Sequence, residues 1–167
     1  AKLQDIADVV NQYRQYLSEK YSFELSNAQF LQAYDMQQKA FIKGALHGFI
    51  DLIFEADEQY YVAAYKSNHL GSEYEQYTPN LLAQDIIKHN YDLQFLIYSL
   101  ALHRYLQSKL DDYEYSRDFG GVYYLFLRAM RPENTETASG AGIFYDALPE
   151  RFVRALDEIF SGQEQTI

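Results

Sequence analysis

Apolar residues recur three and four positions apart between Lys2 and Glu19, at Leu3, Ile6, Val9, Val10, Tyr13, Tyr16 and Leu17. At the helical repeat these fall on one face, which predicts an amphipathic helix. Ser26–Gln38 shows no dominant period. From Lys39 to Phe54 the period is two: Ile42, Gly44, Leu46, Gly48, Ile50, Leu52 and Phe54 alternate with Phe41, Lys43, Ala45, His47, Phe49, Asp51 and Ile53. That alternation predicts a long strand with Asp51 on its more polar side. Ala56, Asp57, Glu58 and Gln59 read as a turn and Tyr60–Lys66 as a returning strand, so the two form a hairpin.

A polar loop, Asn68–Pro79, follows. Asn80–His89 and Tyr91–Lys109 read as helices, the second with Leu93, Leu96, Ile97, Leu100 and Leu102 among its apolar positions. "FGGVYYLFLRAM" (Phe119–Met130) reads as a buried strand opened by a glycine pair, and the Pro, Asn, Thr, Ser and Gly content of Arg131–Gly142 reads as a loop. A short strand at Ile143–Tyr145 precedes a last helix that starts near Pro149. That helix carries Phe152, Val153, Leu156, Ile159 and Phe160 on one side; proline suits its first turn and Gly162 its stop. The order predicts an α/β (α+β) fold with a mixed central sheet flanked by helices. No repeat or linker divides the chain, so residues 1–167 read as a single domain.

Charge narrows the function classes. A net charge of −10 opposes non-specific binding to DNA, which rests on lysine and arginine contacts to phosphate. A nucleic-acid substrate would need a local site, a metal or a partner to overcome that field. No apolar run reaches the length of a membrane span, and the start carries no basic-then-apolar leader. The absence of cysteine excludes disulfides and thiolate metal sites, which fits a reducing compartment; the reading is cytoplasmic. The 17 tyrosines and 11 phenylalanines can stack on bases or close the edges of a core, and the core reading is the more common one. The chain opens with Ala1 rather than methionine, so it is expected to be a piece of a longer protein.

The hairpin carries the candidate chemistry. If it turns on Asp57 and Glu58, residue 56 faces 59, and counting back sets Asp51 opposite residue 64. Directly opposed residues share a face, their side chains starting roughly 5 Å apart, and Lys66, two residues on, shares it too. An acid at position 64 would join Asp51 in holding a hard divalent cation. Mg²⁺ takes oxygen ligands in near-octahedral geometry, often one or two carboxylates with waters and substrate phosphates completing the shell. A lysine beside it orients a water or offsets phosphate charge. Position 64 is alanine. Taken alone, one Asp on a strand and one Lys at its neighbour's end are more often solvated surface than a catalytic pair.

Four segments in order, "GFIDLIF" (Gly48–Phe54), "YKSNHLG" (Tyr65–Gly71), "YDLQFLIYSLALHRYL" (Tyr91–Leu106) and "FGGVYYLFLR" (Phe119–Arg128), resemble the C-terminal nuclease domains of the RecB family. RecB is the helicase–nuclease subunit of bacterial RecBCD complexes, and its nuclease domain falls in the PD-(D/E)xK restriction-endonuclease-like superfamily. The resemblance spans about residues 39–160. It implies that Asp51 stands at the first metal-binding acid, Ala64 at the second, and Lys66 at the catalytic lysine. The carbonyl of Tyr65 stands where the family supplies a further metal ligand. Gln94 and Tyr98 match the QxxxY element that borders the active site and contacts DNA; four apart on a helix, they share a face. Ile50 replaces the proline of the "PD" pair. The family's upstream metal-binding histidine has no counterpart, because no histidine precedes His47. His47 shares the Asp51 face but lies four strand residues away, about 13 Å, and reads as structural. The domain is therefore expected to lack an N-terminal portion.

By resemblance the reaction is Mg²⁺-dependent hydrolysis of DNA phosphodiesters, exonuclease or endonuclease, on linear double-stranded ends and single strands during DNA repair and recombination. The implied partners are RecC- and RecD-type subunits and the RecA recombinase. With the acid at position 64 missing, the chain is expected to be inactive or nearly so. The alternative is a non-catalytic module that docks DNA or proteins, RecA loading included, within the helicase complex. Lys88, His89, His103, Arg104 and Lys109 give residues 88–109 a local basic character that a solvated helix face explains as well.

Overall fold

Asp57 and Glu58 both adopt positive φ, 50° and 65°. Two left-handed residues in succession form the two-residue turn whose twist matches that of the strands it joins. The turn fixes the register: Ala56 faces Gln59 and, counting back, Leu52 faces Ala63. The expected hairpin is therefore present, with the expected pairing as far as Leu52 and Ala63.

The computed structural model describes residues 2–39, 41, 52–66, 77–127 and 142–164. Along them run α1 (Lys2–Tyr21), a 3-10 turn (Asn27–Gln29), α2 (Ala33–Met36), β1 (Leu52–Ala56) and β2 (Gln59–Lys66). There follow α3 (Pro79–Lys88), α4 (Tyr91–Lys109), α5 (Tyr115–Asp118), β3 (Phe119–Phe126), β4 (Ile143–Asp146) and α6 (Glu150–Glu164). The sheet order is β1-β2-β3-β4. β1 is antiparallel to β2 and β3 to β4, while β2 and β3 run parallel. A parallel pair needs a crossover to return the chain to the same edge, and α3 and α4 supply it. This is the mixed, helix-flanked α/β sheet the pattern implied.

One sheet face carries Val62, Ala64, Val122, Tyr124, Phe126 and Phe144, all essentially buried. α4 packs on β2 and β3, with α1 and α6 packed against α4 in turn. On the other face Phe54, Tyr61, Tyr123 and Tyr145 form a chain of ring contacts across the four strands, 4.6 to 5.6 Å between neighbouring centroids. The glycine pair at the start of β3 has a steric cause. A Cβ on Gly120 would lie 2.7 Å from the carbonyl oxygen of Tyr60, and one on Gly121 2.7 Å from that of Asp146. Gly121 also holds φ at 132°, open only to a residue without Cβ.

Three expectations need correction. Lys39 and Phe41 are helical, so no strand begins at Lys39. Apolar residues occupy both alternating sets there, so a period of two had no polar face to distinguish it from a helical turn. Residues 42–51, and with them His47 and Asp51, lie outside the described residues. The last helix does not stop at Gly162 but continues to Glu164. A Cβ at Gly162 would meet nothing, so the glycine is tolerated at a cost of about 1 kcal/mol relative to alanine. Pro149 precedes that helix and caps it, its carbonyl accepting from the Phe152 amide.

Candidate active site

Side chains of β2 alternate, and Val62, Ala64 and Lys66 all point to the helix-covered face. Lys66, the last residue of the strand, is 8% exposed. A buried ammonium needs acceptors, because desolvation without them costs several kcal/mol. Its Nζ donates to Gln94 Oε1 at 2.6 Å, and lies 4.1 Å from the centroid of the Tyr91 ring and 4.8 Å from that of Tyr124. Both rings present electron-rich faces to the cation.

The same amide oxygen serves a second donor. The Tyr124 hydroxyl lies 2.9 Å from Gln94 Oε1 and 3.1 Å from the Tyr91 carbonyl, and its single proton is shared between these two acceptors. Burial pushes the Tyr124 phenol well above its ordinary value, so it keeps its proton and remains a donor. A lysine ammonium has no acceptor to offer. Facing it, Gln94 is obliged to present its oxygen inward.

Gln94 comes from the first turn of α4, and that turn is anchored from behind. Arg14 Nε donates to Asp92 Oδ2 at 2.5 Å and Nη2 to Asp92 Oδ1 at 2.9 Å. Nη2 also reaches Asn90 Oδ1 at 2.8 Å and Nη1 the Gln29 carbonyl at 2.5 Å. Burial pushes the Asp92 carboxyl above its usual range while the facing guanidinium pulls it down. Asn90 adopts left-handed φ, 58°, which closes the short link between α3 and α4.

The structure thus brings together Ala64, Lys66 and Gln94. Gln94 and Tyr98 do share a helix face, and it is the buried face: Gln94 is 2% and Tyr98 8% exposed. Tyr65 points the other way, 47% exposed, as its alternate position on β2 requires. His69 lies outside the described residues. His89 stacks on Tyr91, centroids 5.3 Å apart. His103 is buried three turns along α4, its Nδ1 2.8 Å from the Tyr113 hydroxyl, and takes no part in the site. Arg104, one of the basic residues of the 88–109 region, is paired with Asp157 at 2.7 Å.

Tyr91, Tyr124, Arg14 and Asp92 escaped sequence reasoning. Tyr124 sits in an apolar run and reads as core, and Tyr91 stands among polar residues at the start of a helix with nothing to mark it; a charged pair 78 residues apart leaves no periodic trace. Among the described residues, position 64 offers a methyl where an acid would stand, Lys66 brings a cation to the same face, and no group of three or more metal-binding side chains occurs. No described helix is long and apolar enough to cross a membrane.

A family model described as the PD-(D/E)XK nuclease superfamily matches residues 2–166. The RecBCD enzyme subunit RecB of Haemophilus influenzae is 46% identical over 119 residues, covering 71% of this chain and 9% of that protein. RecB of Escherichia coli is 42% identical over 121 residues, 72% of this chain and 10% of that protein. RecB of Mycobacterium tuberculosis is 37% identical over 121 residues, 71% and 11%. The chain spans about a tenth of the length of these relatives.

Proposed function

The chain belongs to the PD-(D/E)XK nuclease superfamily, and we propose that it is the nuclease domain of a RecB-type subunit whose phosphodiester hydrolysis is disabled at position 64. On this reading Asp51 is the first metal-binding acid, Ala64 marks the lost second one, the Tyr65 carbonyl is a further Mg²⁺ ligand and Lys66 is the catalytic lysine. Gln94 and Tyr98 border the DNA. The working form acts on linear duplex ends and single strands in double-strand break repair, beside RecC- and RecD-type subunits.

One observation carries the reading: Lys66 is buried at the end of β2, two residues beyond Ala64 on the same face and bonded to Gln94. A solvated surface lysine would be neither buried nor held by three partners. The turn adds support. It falls on Asp57 and Glu58 and pairs Ala56 with Gln59 and Leu52 with Ala63, the register on which the expectation for positions 51 and 64 rests.

Mg²⁺ in this family supplies an activated water and charge stabilisation at the phosphate; with a methyl at position 64 the residues present do not complete its ligand set. Two unit charges 4 Å apart attract by about 4 kcal/mol at an effective dielectric of 20. Even half of that is a factor of about 30 in binding. The chain's own residues then offer a fixed cation at Lys66 and an oriented amide at Gln94, enough to sit beside a phosphate but not to cleave it.

The test is the Ala64→Asp substitution, assayed with Mg²⁺ on linear duplex and single-stranded DNA. Cleavage is expected, and Lys66→Ala in the same background should abolish it. A restored variant that neither binds Mg²⁺ nor cuts would favour the second reading, a non-catalytic docking module. The methyl at position 64 is what favours that reading now.

A further inference from the structure

We infer that Tyr124 is a positioning residue for Lys66, acting through the Gln94 amide and through its own ring. It rests on the nuclease reading only in calling Lys66 catalytic; the geometry stands by itself. Around the ammonium stand Gln94 Oε1 at 2.6 Å, the Tyr91 ring at 4.1 Å, the Tyr124 ring at 4.8 Å and the strand that carries it. Tyr124 touches each of the others. Its hydroxyl binds both Gln94 Oε1 and the Tyr91 carbonyl, its ring stands edge-on to Tyr91 at 6.3 Å and to Phe95 at 5.2 Å, and its backbone pairs with Ala64 in the β2–β3 ladder.

The ammonium, which can only donate, decides which way the amide faces, since an amide can present either oxygen or NH₂. The oxygen-inward orientation that accepts from Lys66 also accepts from the Tyr124 hydroxyl, 2.9 Å away. Remove the hydroxyl and the amide loses a donor that helps hold it in that orientation. The ring is a second, separate restraint, because a face 4.8 Å from Nζ attracts the cation whether or not the hydroxyl is present. Sequence-based matching to the QxxxY element assigns Gln94 to DNA; here its oxygen is already committed to Lys66, so its first effect is on the lysine.

The experiment is pulse acylation of the folded chain, with Lys66 modification read by mass spectrometry against exposed Lys88 as internal reference. In Tyr124→Phe the ring is kept and the hydroxyl lost, and Lys66 labelling should rise about fivefold, the factor one ordinary hydrogen bond is worth. In Tyr91→Leu one aromatic wall is lost and the rise should be about tenfold, a desolvated cation–π contact. Tyr145→Phe is the control: its hydroxyl donates to the Gly120 carbonyl on the opposite sheet face, so it loosens the sheet without touching Lys66 and should leave labelling unchanged. Labelling in Tyr124→Phe equal to the parent chain, or an equal rise in Tyr145→Phe, overturns the inference. Should Tyr124→Phe not fold, Gln94→Met decides: Tyr124 is argued to act through that amide, so Lys66 labelling should rise there too, and no rise overturns the inference. The measurement uses neither metal nor DNA, so failure of Ala64→Asp to cut DNA and failure of this inference are separate results.

Discussion

Lys66 packs against α4 and His103 belongs to it; both are buried polar side chains, and their surroundings treat charge oppositely. The lysine meets an amide oxygen and two ring faces, all of which favour a cation. The imidazole of His103 meets the Tyr113 hydroxyl and the edges of the Tyr113 and Tyr115 rings. Burial pulls its pKa below 6.5; Arg154 and Arg104 push in the same direction, while Asp157 and Glu150 oppose them. Above about pH 6.5 the imidazole is neutral folded and unfolded, and it contributes nothing to the pH dependence. Below that value the unfolded chain binds the proton first, so stability falls with pH until the folded value is passed and then levels. Urea unfolding at about pH 7.5 and about pH 5 should show a loss of stability that shrinks in His103→Asn. An unchanged loss would assign the acid sensitivity to other groups.

Elements were legible where one side of them is polar. α1, the hairpin and α3 show their period, and the bounds of α4 fell where the pattern put them, at Tyr91 and Lys109. The rotation of α4 did not, since residues such as Leu93, Phe95, Leu96, Leu100 and Leu102 are buried around much of its circumference and a helix apolar on most sides has no preferred face. What orients it is polar: Asp92 held by Arg14 of α1 at one side of its first turn, and Gln94 held by Lys66 and Tyr124 at the other. The family motifs pointed to Lys66 and Gln94, but nothing local marks Arg14 or Tyr124, whose roles exist only once distant segments meet. Breaking the pair by Asp92→Ala leaves a buried guanidinium without its counter-charge, which costs about 3–5 kcal/mol. For a chain of this size that is about 10 °C in melting temperature. Replacing both partners, Arg14→Met with Asp92→Leu, should recover much of the loss, because no charge is then stranded. Thermal melts of the three variants check this, and Asp92→Ala as stable as the parent chain would remove the anchor from the account of the site.

At the scale of the whole molecule the charge and the site pull apart. The chain carries 14 lysines and arginines against 24 acids. Several of the basic groups are already engaged: Arg14 with Asp92, Lys20 with Asp146, Arg104 with Asp157, Arg117 with Asp118 and Arg154 with Glu150. Lys66 is buried at the site itself. Few cations among the described residues are therefore available to neutralise phosphates. On the proposed reading, a domain built this way holds DNA by local contacts at one place and depends on the rest of a much longer protein to bring the strand there. Each phosphate neutralised contributes about −0.7 to the slope of log K against log salt for single strands. The isolated chain should bind single-stranded DNA weakly, with a slope no steeper than about −1.5, two phosphates' worth. Fluorescence anisotropy across a salt series measures it. A slope of about −4 or beyond would mean an extended basic track, which fits the docking module and not a delivered-substrate nuclease.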